Sequence, residues 1–345
     1  MVITQTLVRR QWKKKSDTLK YNLKTRKMKK LAILLFSLTA NLIYCQSSEN
    51  RIEKLIPDNT TEKFYWSPAE ISGRHFDKAA MFLPINLDTV SEIHYSQFDL
   101  GSDATILYQK NLKSIAAYNY LKYDSLADAN TERPLFLIKD VELNIGKIKF
   151  GKRNVLGFYN YGEPIIPNKN AIVSENSIGT IGADIVQNKL LVIDFPNQTI
   201  SVLDSTNTDL ENYFTFEKCK IENNRIMVPI IINGKTLNFM YDTGSSLFPM
   251  MTSLSNWLEI TTQKINDTLS ITNFGNPVIM LGSNSSKGIS IGIHSLTDFK
   301  VYYARDNNFD QIFKELKCDG IIGNAFFFNR TICIDFKTKR FGIEK

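Results

Sequence analysis

The chain has 345 residues, 43 % of them hydrophobic and 22 % charged, which is enough for two hydrophobic cores. The formal net charge of +7 is unevenly spread: residues 1–30 carry 11 Lys and Arg against the single acid Asp17, residues 31–45 carry no charge, and the remainder is net −3. A mildly acidic body excludes nucleic-acid binding driven by overall charge.

In chain order, Met28-Lys29-Lys30 followed by a 14-residue, mostly apolar stretch from Leu31 to Tyr44 has the pattern of a signal peptide, with Met28 as the initiator. The stretch is short of the roughly 20 residues that cross a bilayer. It ends at Cys45, and Leu42-Ile43-Tyr44-Cys45 only weakly resembles a bacterial lipobox because Tyr44 is bulky. Cleavage before Cys45 with lipidation, or after it to expose Gln46, are both open. Residues 1–45 are therefore assigned to an N-terminal extension and signal, and 46–62 to a polar lead-in. The body is expected to be exported, whether periplasmic, secreted or lipid-anchored.

A first lobe is expected over 63–203. Leu83-Pro84-Ile85-Asn86 reads as a strand, 93–98 as its return, and Asp99-Leu100-Gly101-Ser102 as the loop that follows. A polar linker is expected over 204–212 and a second lobe over 213–345. There Val228–Ile232 reads as a strand, Asn233-Gly234 as a tight turn, and 236–241 as the returning strand. Asp242-Thr243-Gly244-Ser245-Ser246 follows. Short helices are expected at 112–120, at 307–316, and just after Gly182 and Gly323. The segments 141–158 and 288–304 look like hairpins. Frequent short apolar runs punctuated by Gly, Asn and Pro predict an all-β chain.

The two halves share anchors in one order. Pro84 precedes Asp99 by 15 residues, and Pro229 precedes Asp242 by 13. Asp99 lies 83 residues before Gly182, and Asp242 lies 81 before Gly323. Twelve residues after each of those glycines stands an Asp-Phe pair, Asp194-Phe195 and Asp335-Phe336, in similar strands. An internal duplication is the economical account. Asp194 and Asp335 themselves read as strand-end or turn residues.

Competing motifs fail. Gly146 to Lys152 has the spacing of a phosphate loop, but Arg153 stands where a hydroxyl is needed and the segment alternates as a strand. His75, His94 and His294 are scattered, with no metal-ligand spacing. Cys219, Cys318 and Cys333 allow one bridge at most, or burial as small apolar residues. Asn197, Asn266 and Asn329 head glycosylation sequons that matter only in a eukaryotic secretory route.

Phe239 to Ser246, Gly320-Ile321-Ile322-Gly323-Asn324-Ala325-Phe326, and the tail from Ile334 to Ile343 resemble the clan of pepsin-like and retropepsin-like aspartic proteases. The resemblance implies two pseudo-symmetric β-barrel-like lobes of the acid-protease fold with a cleft between them. It implies Asp242 and Asp99 as the catalytic pair, and Gly244 and Gly101 as the residues that let the loops approach. Ser245 and Ser102 would bond the outer carboxylate oxygens, and Thr243 would donate a hydrogen bond across the lobe interface. No metal or organic cofactor is implied. The implied partner is a polypeptide substrate in the cleft, with no nucleic acid, contact with a membrane only through a lipid at Cys45, and a monomer rather than a homodimer.

Two positions depart from the pattern. Leu100 stands where the family has threonine, so the reciprocal hydroxyl bond is lost and Thr243 needs another partner. Asp103 places a third carboxylate beside the pair, which is expected to raise its proton affinity. Three rival readings follow. One is a catalytically inactive binding protein that keeps the fold, and the second is a homodimeric protease that uses only Asp242. The third is a surface-adhesion lipoprotein.

Overall fold

The computed structural model describes residues 52, 55–87, 93–126, 134–166, 173–204, 208–273, 276–305 and 309–345. The stretch expected to act as a signal, and Cys45, lie outside the described residues. Ile56–Lys345 form one compact unit, built mostly of strands in three sheets.

None of the sheets closes into a barrel, which corrects the barrel-like expectation. An eight-stranded sheet runs from Tyr65–Ile71 at one edge to Lys122–Leu126 at the other; these edge strands do not pair with each other, whereas the strands beside them, Arg74–Leu87 and Leu135–Ile145, also pair antiparallel at Ile85–Leu87. A ten-stranded sheet likewise ends on Asp267–Asn273 and His294–Leu296.

Both larger sheets use the same local pairing around their Asp loops. His94–Phe98 lies parallel to Ser177–Ile181, and Lys235–Tyr241 lies parallel to Gly320–Ile322. The strand after each loop, Ile106–Tyr108 or Met250–Thr252, runs antiparallel to that same partner. Asp99 N–H donates to the Ile181 carbonyl and Asp242 N–H to the Ile322 carbonyl, each at 3.0 Å. Each loop is thereby fixed at the end of a central strand.

The strand Arg225–Ile232 turns through Asn233-Gly234 into Lys235–Tyr241, with Ile232 opposite Lys235. Phe239 and Tyr241 point into the main core while Met240 joins a second apolar cluster, as the period-2 alternation of a strand requires. Phe327 and Phe341 pack edge-on against Tyr241 with ring centres 5.6 and 5.4 Å away.

A six-stranded sheet joins the halves. Leu190–Asp194 pairs antiparallel with Thr331–Asp335, and Phe214–Lys218 completes the sheet beyond Arg340–Glu344. Residues expected to form a loose lead-in take part: Thr61–Lys63 pairs with Thr199–Leu203, and Ile56 is buried. Glu62 sits over Gly146 and accepts a 2.9 Å bond from Lys147 N–H. Glu217 sits over Gly292 in the same way. The expected linker holds a short 3-10 turn, Thr208–Asn212, whose Leu210 is buried.

The helices are brief. The segment 112–120 divides into an α-turn at Gln109–Leu112 and a 3-10 turn at Ala116–Tyr120. Phe309–Leu316 is an α-helix, and 3-10 turns follow Gly182 and Gly323. The segment 141–158 lies within the hairpin Leu135–Ile145 and Ile148–Phe158. The segment 288–304 forms a smaller hairpin, Ile289–Ile291 with His294–Leu296, followed by the strand Lys300–Ala304. Cys219, Cys318 and Cys333 are unbridged and buried. Burial pushes the Cys219 thiol up to about 12. Asp194 and Asp335 each cap a turn, accepting from Asn197 N–H and from Thr338 N–H respectively.

Candidate active site

The loops carrying Asp99 and Asp242 meet face to face, each with its glycine against the other's carboxyl, and the two acids lie close enough to alter each other's proton affinity. Backbone amides hold them. Gly244 N–H donates to Asp242 Oδ1 at 2.8 Å, and Gly101 N–H reaches the same oxygen from the opposite loop at 3.2 Å. Ser102 N–H donates to Asp99 Oδ1 at 3.0 Å.

The glycines are required by proximity. A Cβ on Gly101 would lie 2.7 Å from the Asp242 carboxyl carbon, and one on Gly244 would lie 2.7 Å from that of Asp99. Each loop brings its bare backbone against the other loop's acid.

Burial raises the proton affinity of both acids. For Asp242 the neighbouring Asp99 charge and their shared hydrogen bond add to the effect, and its affinity rises well above the ordinary carboxylate range. For Asp99 that shared bond, the Ser102 and Gly101 amides and the Arg225 charge all oppose the rise. The pair therefore binds a proton more tightly than two ordinary carboxyls would, and it titrates as a unit.

Thr243 is fully buried and satisfied without a second threonine. Its hydroxyl donates to the Phe98 carbonyl and accepts from Leu100 N–H, both at 2.9 Å. Both partners are backbone groups, so the side chain at position 100 is not needed. Leu100 instead packs in the main core, 1 % exposed. Thr243→Val should orphan one buried carbonyl and one buried N–H, at a cost of about 1–3 kcal/mol each. Chemical denaturation of the variant checks this, and an unchanged midpoint would refute it.

The two serines use different groups: Ser102 reaches the Asp99 carboxylate through its amide, while Ser245 makes no bond to the Asp242 carboxylate. Ser102 Oγ donates to the Ala104 carbonyl at 2.8 Å, so the contact to Asp99 is made by its amide. Ser245 Oγ is buried and makes no hydrogen bond among the described residues, while its amide bonds the Asp242 carbonyl at 3.2 Å. In both cases the tight turn aims the amide, rather than the hydroxyl, back at the aspartate.

Asp103 also departs from expectation. Its carboxylate is half exposed and paired with Arg225 Nη2 at 3.2 Å, so it adds no uncompensated charge to the site. Arg225 Nε meanwhile donates to the Gly101 carbonyl at 2.6 Å, and Asn224 Nδ2 to the Asp103 carbonyl at 2.9 Å. The second half thus grips the first loop from outside. Nothing in the local pattern Asn223-Asn224-Arg225 announces this. Because Arg225 favours the ionised form of Asp99, Arg225→Gln should raise that group's affinity for its proton. The acid limb of any rate profile that needs ionised Asp99 then moves to higher pH, as a pH titration of the variant would reveal. A shift in the other direction would contradict the charge assignment.

Asn324 was legible only as part of its motif. Fully buried, it accepts from the Tyr241 hydroxyl at 2.8 Å and donates to the Thr243 carbonyl at 3.0 Å and to Ser246 Oγ at 2.9 Å. It ties the Asp242 loop to the strand Gly320–Ile322.

Residues 228–326 match a family model described as aspartyl protease. The match supports an aspartyl protease family and hence a protease. It includes Asp242 and Asn324, and Asp99 lies outside it. No curated protein matches the chain.

Proposed function

We propose that the protein is an exported, bilobed aspartic endopeptidase that hydrolyses peptide bonds with a water activated by Asp99 and Asp242. The observation that carries this reading is the close approach of the two loops, each of which lays its glycine backbone against the other loop's carboxyl, with Asp242 held by the Gly244 and Gly101 amides and Asp99 by the Ser102 amide. Ionised Asp99 is the general base and protonated Asp242 the general acid. Asp99 takes a proton from water as the water oxygen bonds to the scissile carbonyl carbon. Asp242 gives its proton to the carbonyl oxygen, producing a neutral tetrahedral diol. Asp99 then passes its proton to the amide nitrogen, a diol hydroxyl returns one to Asp242, and the C–N bond breaks.

The matching strand pairings around the two loops, and the matching positions of Glu62 and Glu217, support a duplicated two-lobe scaffold. The substrate is an extended polypeptide laid between the lobes, and export rests on the signal pattern at Met28–Tyr44. Both carboxyls come from one chain, which favours the single-chain enzyme over a homodimer built on Asp242 alone. Thr243's two backbone bonds answer the main objection raised by Leu100.

The test is incubation of the purified chain with an unfolded polypeptide across acid to neutral pH, counting new N-termini by mass spectrometry. Cleavage is expected in a bounded pH window. No cleavage at any pH would leave a binding protein of the same fold.

A further inference from the structure

The hairpin Tyr65–Ile71 and Arg74–Leu87 is larger than its counterpart Lys220–Glu222 and Arg225–Ile232. Glu62 precedes Asp99 by 37 residues, whereas Glu217 precedes Asp242 by 25, a difference of 12. The shorter hairpin ends at the Asp103 contact described above. The longer one crosses to the ten-stranded sheet and meets its edge strand, Asp267–Asn273.

Four contacts fasten it there. Arg74 Nη2 binds Asp267 Oδ1 at 2.6 Å. Ser270 N–H, on the sheet edge, donates to Ser72 Oγ at 2.8 Å. Ile71 and Phe76 pack on the apolar cluster that holds Met240, two residues before Asp242, and Leu269 of the edge strand. An open sheet edge is thereby capped. Asp267 is 6 % exposed in its side chain and also binds Lys300 Nζ at 2.7 Å and Tyr302 Oη at 2.8 Å, so it keeps partners if Arg74 is removed.

We propose that this first-half hairpin is a strap and that Arg74 and Asp267 are positioning residues. They hold the strands Asp267–Asn273 and Asn276–Asn284 in the arrangement that binds polypeptide beside the Asp pair. The inference about substrate rests on the proposed protease reading, while the strap itself does not. The added length, the cross-half ion pair and the capped edge all belong to one extension that the shorter hairpin lacks.

The experiment uses the full chain with Arg74→Gln, Asp267→Asn and Arg74→Lys. Amide hydrogen exchange at Thr268–Thr272 should speed up about three- to tenfold in Arg74→Gln, the range expected for one partly exposed ion pair plus the local bonds it supports. Arg74→Lys should restore most of the protection. For hydrolysis, kcat/KM should fall by a similar factor, through KM, with kcat nearly unchanged. Unchanged exchange in both Arg74→Gln and Asp267→Asn would overturn the strap. Faster exchange with unaltered KM would overturn the positioning role. If the native chain cleaves nothing, the protease reading fails, and the exchange measurement still decides the strap.

Discussion

Asp242→Asn should lower kcat/KM for an unfolded polypeptide by about three orders of magnitude, the scale of losing one positioned acid–base group. The amide nearly matches the carboxyl in size, and the Gly244 and Gly101 amides still find an oxygen acceptor at position 242. The loop geometry should survive while the transferable proton is lost. Asp99→Asn should be equally inactive for the opposite reason, since the base is removed. Equal activity in either variant would end the dyad mechanism.

The same substitution has a signature in stability. The folded-state affinity of Asp242 for its proton is raised above that of the unfolded chain. Its contribution to stability is therefore complete below the unfolded value, about 3.9, and declines as pH rises toward the folded value. Thermal unfolding from about pH 4 to neutrality should show native stability falling relative to Asp242→Asn. A native protein that gains on the variant over that range would mean the carboxyl is not shielded as described. The proposed mechanism requires one proton on the pair, so it predicts a rate that is bell-shaped in pH. Both limbs should be shifted upward, because burial raises both affinities.

Gly244→Ala carries the second large effect. Its new methyl would stand 2.7 Å from the Asp99 carboxyl carbon and 2.9 Å from both oxygens, so the two loops must part. A misplacement of about 1 Å costs on the order of a hundredfold in rate, and the loss should appear mainly in kcat. Gly101→Ala meets Asp242 in the mirrored way and should do the same. Overpacking of this size costs roughly 1–3 kcal/mol, so the variants should still fold, as circular dichroism and a denaturant midpoint can verify. A folded Gly244→Ala enzyme with native kcat would show that the close approach does not matter to turnover.

The sequence carried the local devices well. Asn233-Gly234 between alternating apolar runs marks the hairpin that ends at Asp242, because turn chemistry and period-2 patterning are written over neighbouring residues. The two Asp-x-Gly-Ser loops are visible for the same reason. What stayed hidden depends on contacts between residues far apart in the chain. Arg225 reaches a carbonyl 124 positions away, and Arg74 an acid 193 positions away. Neither leaves a periodic trace. The directions of the Ser102 and Ser245 hydroxyls were also unreadable, since an amide and a hydroxyl on one residue compete for the same aspartate. The ten-stranded sheet stays open because its two edge strands pair with nothing across it, which strand propensity alone does not encode.

The one-sided Thr243 clasp bears on how such a site can change over time. Where two identical subunits supply the loops, a single codon change rewrites both. Here the loop at Leu100 and the loop at Thr243 are separate stretches of one gene. One carries a buried core side chain at Leu100, while the other, through Thr243, makes both backbone bonds across the junction. Independent inheritance of the two loops lets one specialise in packing while its mate alone fastens the junction.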